Sequence, residues 1–552
     1  MLLVTFDLII VFFFVQKVSA IGNSNVNTTD TVGFVREDNQ RDTISLLISC
    51  FATLGLCVYS AVHLNVPRKS DKNYQVLIRE LQWCVVGLFA PELILYTAWR
   101  QLASARQLCI EMEDIRREAS SNETNDKNVA VTEAHVQDHF NKWTVTHGFY
   151  ASMGGFAIEL NDDNPNAILF NDADRLTLTA KGVTLLAKCG YIVDISLDDI
   201  KDKNKTDGLA KLLVCIQAGW MIVQVISRTA IGIPTTLLEV HVVAHVVCAL
   251  VMYLLWWHKP RQVTSPTILK VEHLPLIAYM YLASRMSGKP PQGKLAMFRS
   301  ATPELEKLAY FVDEEISSGS DSPRNNSETT RSSTSGQLRP RPSAQSFGQE
   351  GETLPCQSPI VANSRLEHLA EQAIQLYPAL YNLLSPSCGT GELENSYKLP
   401  YITELVQYHA PDWPNDGLLR RTQSLVMGMV LWGASMAYGA IHVAAWDYFF
   451  PTPLEQLFWR MSSVWVTFCA AFWLVTNLLA HVFPFIDTIW IAYNKRSLGL
   501  FSTLIITFLC VLCGVSYITS RIYIVVEAFI SIREVPRGVY ETPTWSQVFP
   551  HL

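Results

Sequence analysis

Residues 81–99 read LQWCVVGLFAPELILYTAW, and whether this stretch crosses a bilayer decides the fold. It is barely long enough, because a hydrocarbon core takes about 20 apolar residues in a helix. Pro91-Glu92 sits at its middle. The proline breaks the hydrogen-bond ladder, and the glutamate places a carboxyl group in an apolar run. Either the block spans with a kink, or it dips in or lies along the interface. The first gives seven spans, the second six.

Six other stretches are unambiguous. Thr43 to Leu64 reads TISLLISCFATLGLCVYSAVHL. Gly208 to Ser227 and Thr236 to Trp257 form a pair joined by a short Gly-Ile-Pro turn, and the second ends in Trp256-Trp257-His258-Lys259-Pro260, which combines an aromatic anchor, charge and a helix stop. Ser424 to Trp446, Met461 to Phe483 and Leu500 to Ser520 complete the set. Basic residues collect on the cytosolic side of membranes. With a lumenal amino terminus and a non-spanning 81–99, Arg68, Lys69, Lys72, Arg79, Lys259, Arg261, Lys270, Arg420, Arg421, Lys495 and Arg496 share that side. If 81–99 spans, Lys259, Arg420 and Lys495 change sides. The rule favours six spans and a lumenal carboxyl terminus.

Composition agrees. Of 552 residues, 49% are apolar and only 17% charged, where a soluble domain has about 25%. The net charge of −7 and the lack of a dominant basic patch exclude nucleic acid as an expected partner. Most of the twelve cysteines fall in the apolar blocks, where they act as small hydrophobes, and no spacing marks a disulfide framework.

The fold class expected is mainly α: a polytopic transmembrane helix bundle of 6–7 spans, a small α/β membrane-proximal module and a partly disordered loop. Residues 1–20 read as a signal peptide, with an apolar run from Leu2 to Val15 and a small-residue cleavage pattern at Val18-Ser19-Ala20; an uncleaved anchor is the rival. A lumenal segment, 21–42, follows and carries the glycosylation acceptor Asn27. Residues 43–99 hold the first span and the broken block. The α/β module occupies 100–207, with a helix over Ala103 to Glu118, a strand–helix–strand reading of Leu176 to Asp194, and a helix capped by Ser196 with Asp199. A helical hairpin covers 208–257. A large polar loop covers 258–423, with an amphipathic helix over Arg365 to Leu384 and another helix over Tyr401 to His409. Within it, 317–363 is Ser/Pro-rich, expected to be disordered, and carries kinase-type sites at Ser322 and Ser332. The last helices lie in 424–530, and 531–552 is an ordered tail.

Ionisable groups inside spans are functional suspects. Those here are Glu92, Arg228, Glu239, His241, His245, His442, Asn477 and His481. His241 and His245 share a helical face, with Cys248 one turn on, but interhelical hydrogen bonding explains them without a metal, so no metal site is assigned. Arg228, near the end of its span, either snorkels to the interface or pairs with Glu239 across the short turn. His442, Asp447, Asn477 and His481 either line one polar seam or make ordinary interhelical hydrogen bonds, the reading preferred because such bonds are common in bundles. Cys510 and Cys513 form a CxxC inside an apolar helix and read as packing thiols. HExxH, phosphate loops and a serine nucleophile elbow are absent, so neither a catalytic residue nor a cofactor is assigned.

Several segments together resemble a family of multi-pass integral membrane proteins of filamentous fungi. They are Ser45 to Pro67 with its HLNVP ending, Ala90-Pro91-Glu92 through Tyr96 to Arg100, Trp143 to Tyr150, Lys205 to Gly208, Trp256 to Pro260, Arg521 to Ile530 and Pro550-His551-Leu552. The resemblance implies the architecture and supplies no activity. The expected partners are the lipid bilayer and proteins docking on the polar loops, and the expected location is an integral membrane of the secretory pathway. Three functional readings follow, in order: a non-enzymatic transport, channel-like or sensing role; a membrane scaffold with a phosphorylatable loop; and a lipid-modifying enzyme built on the intramembrane histidines.

Overall fold

The computed structural model describes residues 30–36, 41–125, 142–159, 167–170, 175–191, 193, 195–204, 208–269, 273–284, 359–377, 380, 404–414, 418, 424–494 and 497–541. The signal-peptide stretch 1–20, Asn27, nearly all of the Ser/Pro-rich segment and the end of the tail lie outside these residues.

Among the described residues, six helices are long and apolar enough to cross a membrane. They are α1 (Thr43–Ala61), α7 (Gly208–Ile231), α8 (Leu237–Leu255), α11 (Ser424–Val443), α12 (Pro453–Val482) and α14 (Leu500–Ile530). Of these, α8 is the centre of the bundle, buried on almost every face, whereas α12 and α14 expose long apolar surfaces such as Phe468, Phe472, Phe508 and Leu512. A helix apolar all round belongs in a core or in lipid.

The broken block forms α2 (Asn73–Phe89) and α3 (Pro91–Asn125), bent by 113° at Ala90. Pro91 has no N–H to continue α2, and it opens α3 at the first helical position, where none is needed. Both arms return to one end of the bundle. On α2, Arg79 donates to the Asn65 carbonyl at 2.8 Å. On α3, Gln101 accepts from Lys259 at 2.7 Å, and Lys259 also donates to Asn65 Oδ1 at 3.0 Å. The two arms therefore fold back toward the same end of the bundle as a bent hairpin.

That side also carries a compact module. Its sheet runs β4 (Thr267–Leu269), β2 (Phe156–Glu159), β3 (Arg175–Leu178), β5 (Val406–Gln407), with β2–β4 parallel and the other pairs antiparallel. Around it pack α4 (Val145–Ser152), α5 (Ala180–Lys188), α6 (Leu197–Asp202), α9 (Leu274–Leu282) and α10 (Pro359–Leu376). Ser196 caps α6 by accepting from the Asp199 N–H at 3.0 Å. The expected helix over Tyr401 to His409 is corrected: its described part holds strand β5, because pairing with β3 outweighs local helical preference. The helix expected over Arg365 to Leu384 is α10, which starts six residues earlier and ends at Leu376. Ala103 to Glu118 is the outer part of the longer α3. The described residues of the expected 191–195 strand are not in a strand.

The far end is closed by the chain's own flanks. Strand β1 (Thr31–Val32) pairs antiparallel with β6 (Val535–Pro536), and Thr43 Oγ1 meets Tyr540 Oη at 2.8 Å.

Candidate functional site

The candidate site is a buried polar cluster around α8, reached by the tip of the α2–α3 hairpin. His245 lies eight residues into the nineteen of α8, about 12 Å along its axis and near mid-depth. Its Nε2 is 2.8 Å from the Leu88 carbonyl at the hairpin tip, and its Nδ1 is 3.0 Å from the His241 carbonyl. A neutral imidazole donates only one hydrogen bond, so it meets one of the two facing carbonyls, and donating to both takes the imidazolium.

His442 on α11 directs Nδ1 at the Tyr438 carbonyl (2.8 Å), which fixes Nδ1–H as donor and leaves Nε2 to accept. His241 Nδ1 lies 3.2 Å from that nitrogen and is then the donor. His241 Nε2 is left buried with no partner. Trp459 Nε1 donates to the His442 carbonyl at 3.2 Å. All three histidines are buried.

One turn of the hairpin further, Glu92 at the start of α3 pairs with Arg521 of α14. Tyr517 donates to the other carboxylate oxygen of Glu92 at 3.2 Å and meets Ser435 Oγ at 2.5 Å. The Arg521 guanidinium lies 3.8 Å from the centroid of the Tyr438 ring, with Nε and Nη1 unpartnered. A cation on an aromatic face gains from the ring quadrupole, more so when desolvated. Tyr438 thus joins the ion pair to the histidines. Arg521 is not among the ionisable candidates the sequence offers, because its partner is 429 positions away, beyond any local pattern.

The other sequence candidates go elsewhere. Glu239 pairs with Arg41 at 2.8 Å and closes a reciprocal cap with Thr236, whose backbone N–H donates to it at 2.8 Å. The expected Arg228–Glu239 pair is corrected: Arg228 donates to the carbonyls of Pro234, Val539 and Glu541, since a guanidinium fork reaches several acceptors at once. The polar seam is also corrected. Asn477 packs against Gly428, His481 is exposed on α12, and Asp447 pairs with Arg460. Cys513 faces Cys469 at 3.8 Å, not Cys510. Among the described residues, no group of three His, Cys, Asp or Glu side chains is arranged to hold a metal.

Lys259, read from sequence as a membrane-surface charge, is 1% exposed and donates to the His63 carbonyl, Asn65 and Gln101. Beside it, where α1 and α2 meet the sheet, lies a cavity of 640 Å³ lined by Arg68, Lys69, Arg79, Arg175 and Arg261. Arg79 on α2 pairs with Asp412 at 3.3 Å, and Arg68 meets His409 at 3.3 Å. Burial, then the neighbouring Arg68 and Arg79, holds the His409 imidazole below its ordinary value.

The chain belongs to a family of unknown function (DUF8562), whose profile matches residues 8–363 and 415–552. No curated protein and no solved structure matches it.

Proposed function

We propose that this family member is a non-enzymatic, multi-pass membrane protein with a sensing role, in which the α2–α3 hairpin couples a cavity at the module end to the polar cluster at mid-depth. One observation carries the reading: a single hairpin holds both sites. Its α2 arm places Arg79 in the cavity wall and Leu88 against His245, and its α3 arm places Glu92 on Arg521 and Gln101 on Lys259. A movement at either site is transmitted along a rigid helix. The six apolar helices, with both flanks clasped at the far end, support six crossings with 81–99 re-entrant. Non-helical backbone at membrane depth is tolerated where protein buries it, as Leu88 and Ala90 are met here by His245 and the α3 start.

A transport reading is second, favoured by the broken α2–α3 helix at the centre of the bundle. The closed packing of His241, His245 and His442 and the position of the cavity at the module end favour sensing. Against the enzyme reading, Glu92 beside the cluster is held by Arg521 and Tyr517.

The test is hydrogen–deuterium exchange on the full chain in nanodiscs. Glu92→Gln should raise exchange at the cluster and also at residues 65–80 and 408–414, near the cavity. Changes confined to the cluster would refute the coupling. Proton flux in proteoliposomes, abolished by the same variant, would replace sensing with transport.

A further inference from the structure

The geometry points to the module-end cavity as a binding site for a phosphate-bearing anion, presented by a lipid headgroup. This deepens the sensing reading by naming the class of ligand.

The charge at the cavity is uneven. Five cationic side chains line it against three carboxylates, Asp71, Glu80 and Glu159. Lys69 gives one of its three N–H donors to Glu159 and keeps the others, whereas Arg79 is committed to Asp412 outside the lining. Two arginines retain donors. Arg261 gives one N–H to the Tyr59 carbonyl at 2.9 Å and lies 4.9 Å from the Tyr59 ring centroid. Arg175, 8% exposed, gives one N–H to the Pro67 carbonyl at 2.8 Å, while its Nε is buried without a partner. A guanidinium this buried, with one nitrogen unmet, is costly, and an anion in the adjoining cavity offsets part of that cost through its charge. Guanidinium forks match phosphate geometry, which is why arginine recurs at such sites. Gln262, beside Arg261 in the wall, holds a φ of 56°, a backbone conformation uncommon for a residue other than glycine.

The lining is also partly apolar, with Tyr59, Val62 and Val76, and nearby α1 and α2 expose Leu56, Leu77, Ile78 and Leu81. A cationic recess that continues onto a greasy surface at a span's end fits a headgroup whose chains stay in the bilayer, and basic pockets between spans on the cytosolic side take such headgroups.

The full chain is placed in phosphatidylcholine nanodiscs, alone or doped with phosphatidylinositol, and separately titrated with inorganic phosphate. Exchange protection of residues 62–71 and 261–268 is followed with the melting temperature. Phosphatidylinositol should protect both segments. Arg261→Gln and Lys69→Gln should each weaken the response about tenfold, the effect of losing one charge-assisted hydrogen bond. Arg533→Gln, at the far end of the bundle, should leave it intact. Lys69 and Arg261 are accessible enough to replace without unfolding the module, so the test survives a misfolded Arg175→Gln. Protection by inorganic phosphate without the anionic lipid would keep the site and assign it to a soluble anion. No protection by either, or protection unchanged in both variants, overturns the proposal. Binding without a change at the His245 peptide would leave the site standing and sink the coupling instead.

Discussion

The carbonyl of Leu88, at the tip of a hairpin that enters from the module end, lies 2.8 Å from Nε2 of His245 near the middle of the central helix. This contact fixes how deep the hairpin reaches. It also means that the backbone at the break is satisfied by a side chain rather than by its own helix, as the loss of the ladder at Pro91 requires.

Glu92 and Arg521 should be separable only at high cost. Both side chains are almost fully buried. Removing one partner of such a pair leaves an uncompensated charge and costs about 3–5 kcal/mol. Arg521→Gln or Glu92→Gln alone should therefore lower the melting temperature of the detergent-solubilised protein sharply. The double variant Glu92→Leu, Arg521→Met should recover much of the loss. A double variant as unstable as the sum of the singles would show that the pair is not the main partnership of either residue.

Gly148 is where α4 crosses α3. A Cβ there would stand 2.3 Å from the Ala105 carbonyl oxygen, which is backbone and cannot rotate away. Gly148→Ala should cost at least about 1–3 kcal/mol, the usual price of overpacking. Gly219→Ala, where nothing lies within 4 Å, should be neutral or slightly favourable because alanine suits a helix better. Thermal unfolding of both variants in one detergent decides the comparison.

His409 gives the 404–414 segment a pH dependence of definite sign. Its folded value lies below the ordinary 6.5, because burial and then Arg68 and Arg79 disfavour the charged ring. The unfolded chain therefore takes up the proton first as pH falls, so this contribution is complete above 6.5 and is lost as pH drops through the folded value. Protection factors at 404–414, taken relative to the intrinsic exchange rate at each pH, should fall between pH 7 and pH 5, and His409→Gln should flatten that trend. An acid response unchanged in the variant would point to another group.

Topology is open to glycosylation mapping. With six crossings, Asn27 faces the lumen and is modified, while Asn122, Asn204 and Asn325 face the cytosol and are not. Glycan at Asn122 would place the hairpin's return arm on the wrong side.

The apolar helices are legible in the sequence because lipid-scale hydropathy is a local property. So is the cap at Ser196, whose partner is three residues away. The Thr236–Glu239 cap carries the same kind of local signature, and its carboxylate was instead matched to Arg228, the nearest cation in sequence. The true cation, Arg41, precedes the first span and meets Glu239 only through the fold. Pro91-Glu92 announces a break in the second block without saying which way the chain leaves it. That direction is set by Lys259, which draws Asn65 and Gln101 to one point. Arg521 and Tyr438 escaped notice for a related reason. An arginine near a helix end reads as a surface charge until the carboxylate opposite it is known.

The β1–β6 pairing has a consequence for biogenesis. Residues 31–32 emerge from the ribosome about five hundred positions before residues 535–536, their strand partners. Until then Thr43 lacks the Tyr540 hydroxyl and Arg228 lacks the carbonyls of Val539 and Glu541. The outer end of the bundle therefore stays unlatched throughout synthesis, and a chain stopped short of residue 535 exposes unmet polar groups there, a mark by which quality-control factors can tell an unfinished polypeptide from a finished one.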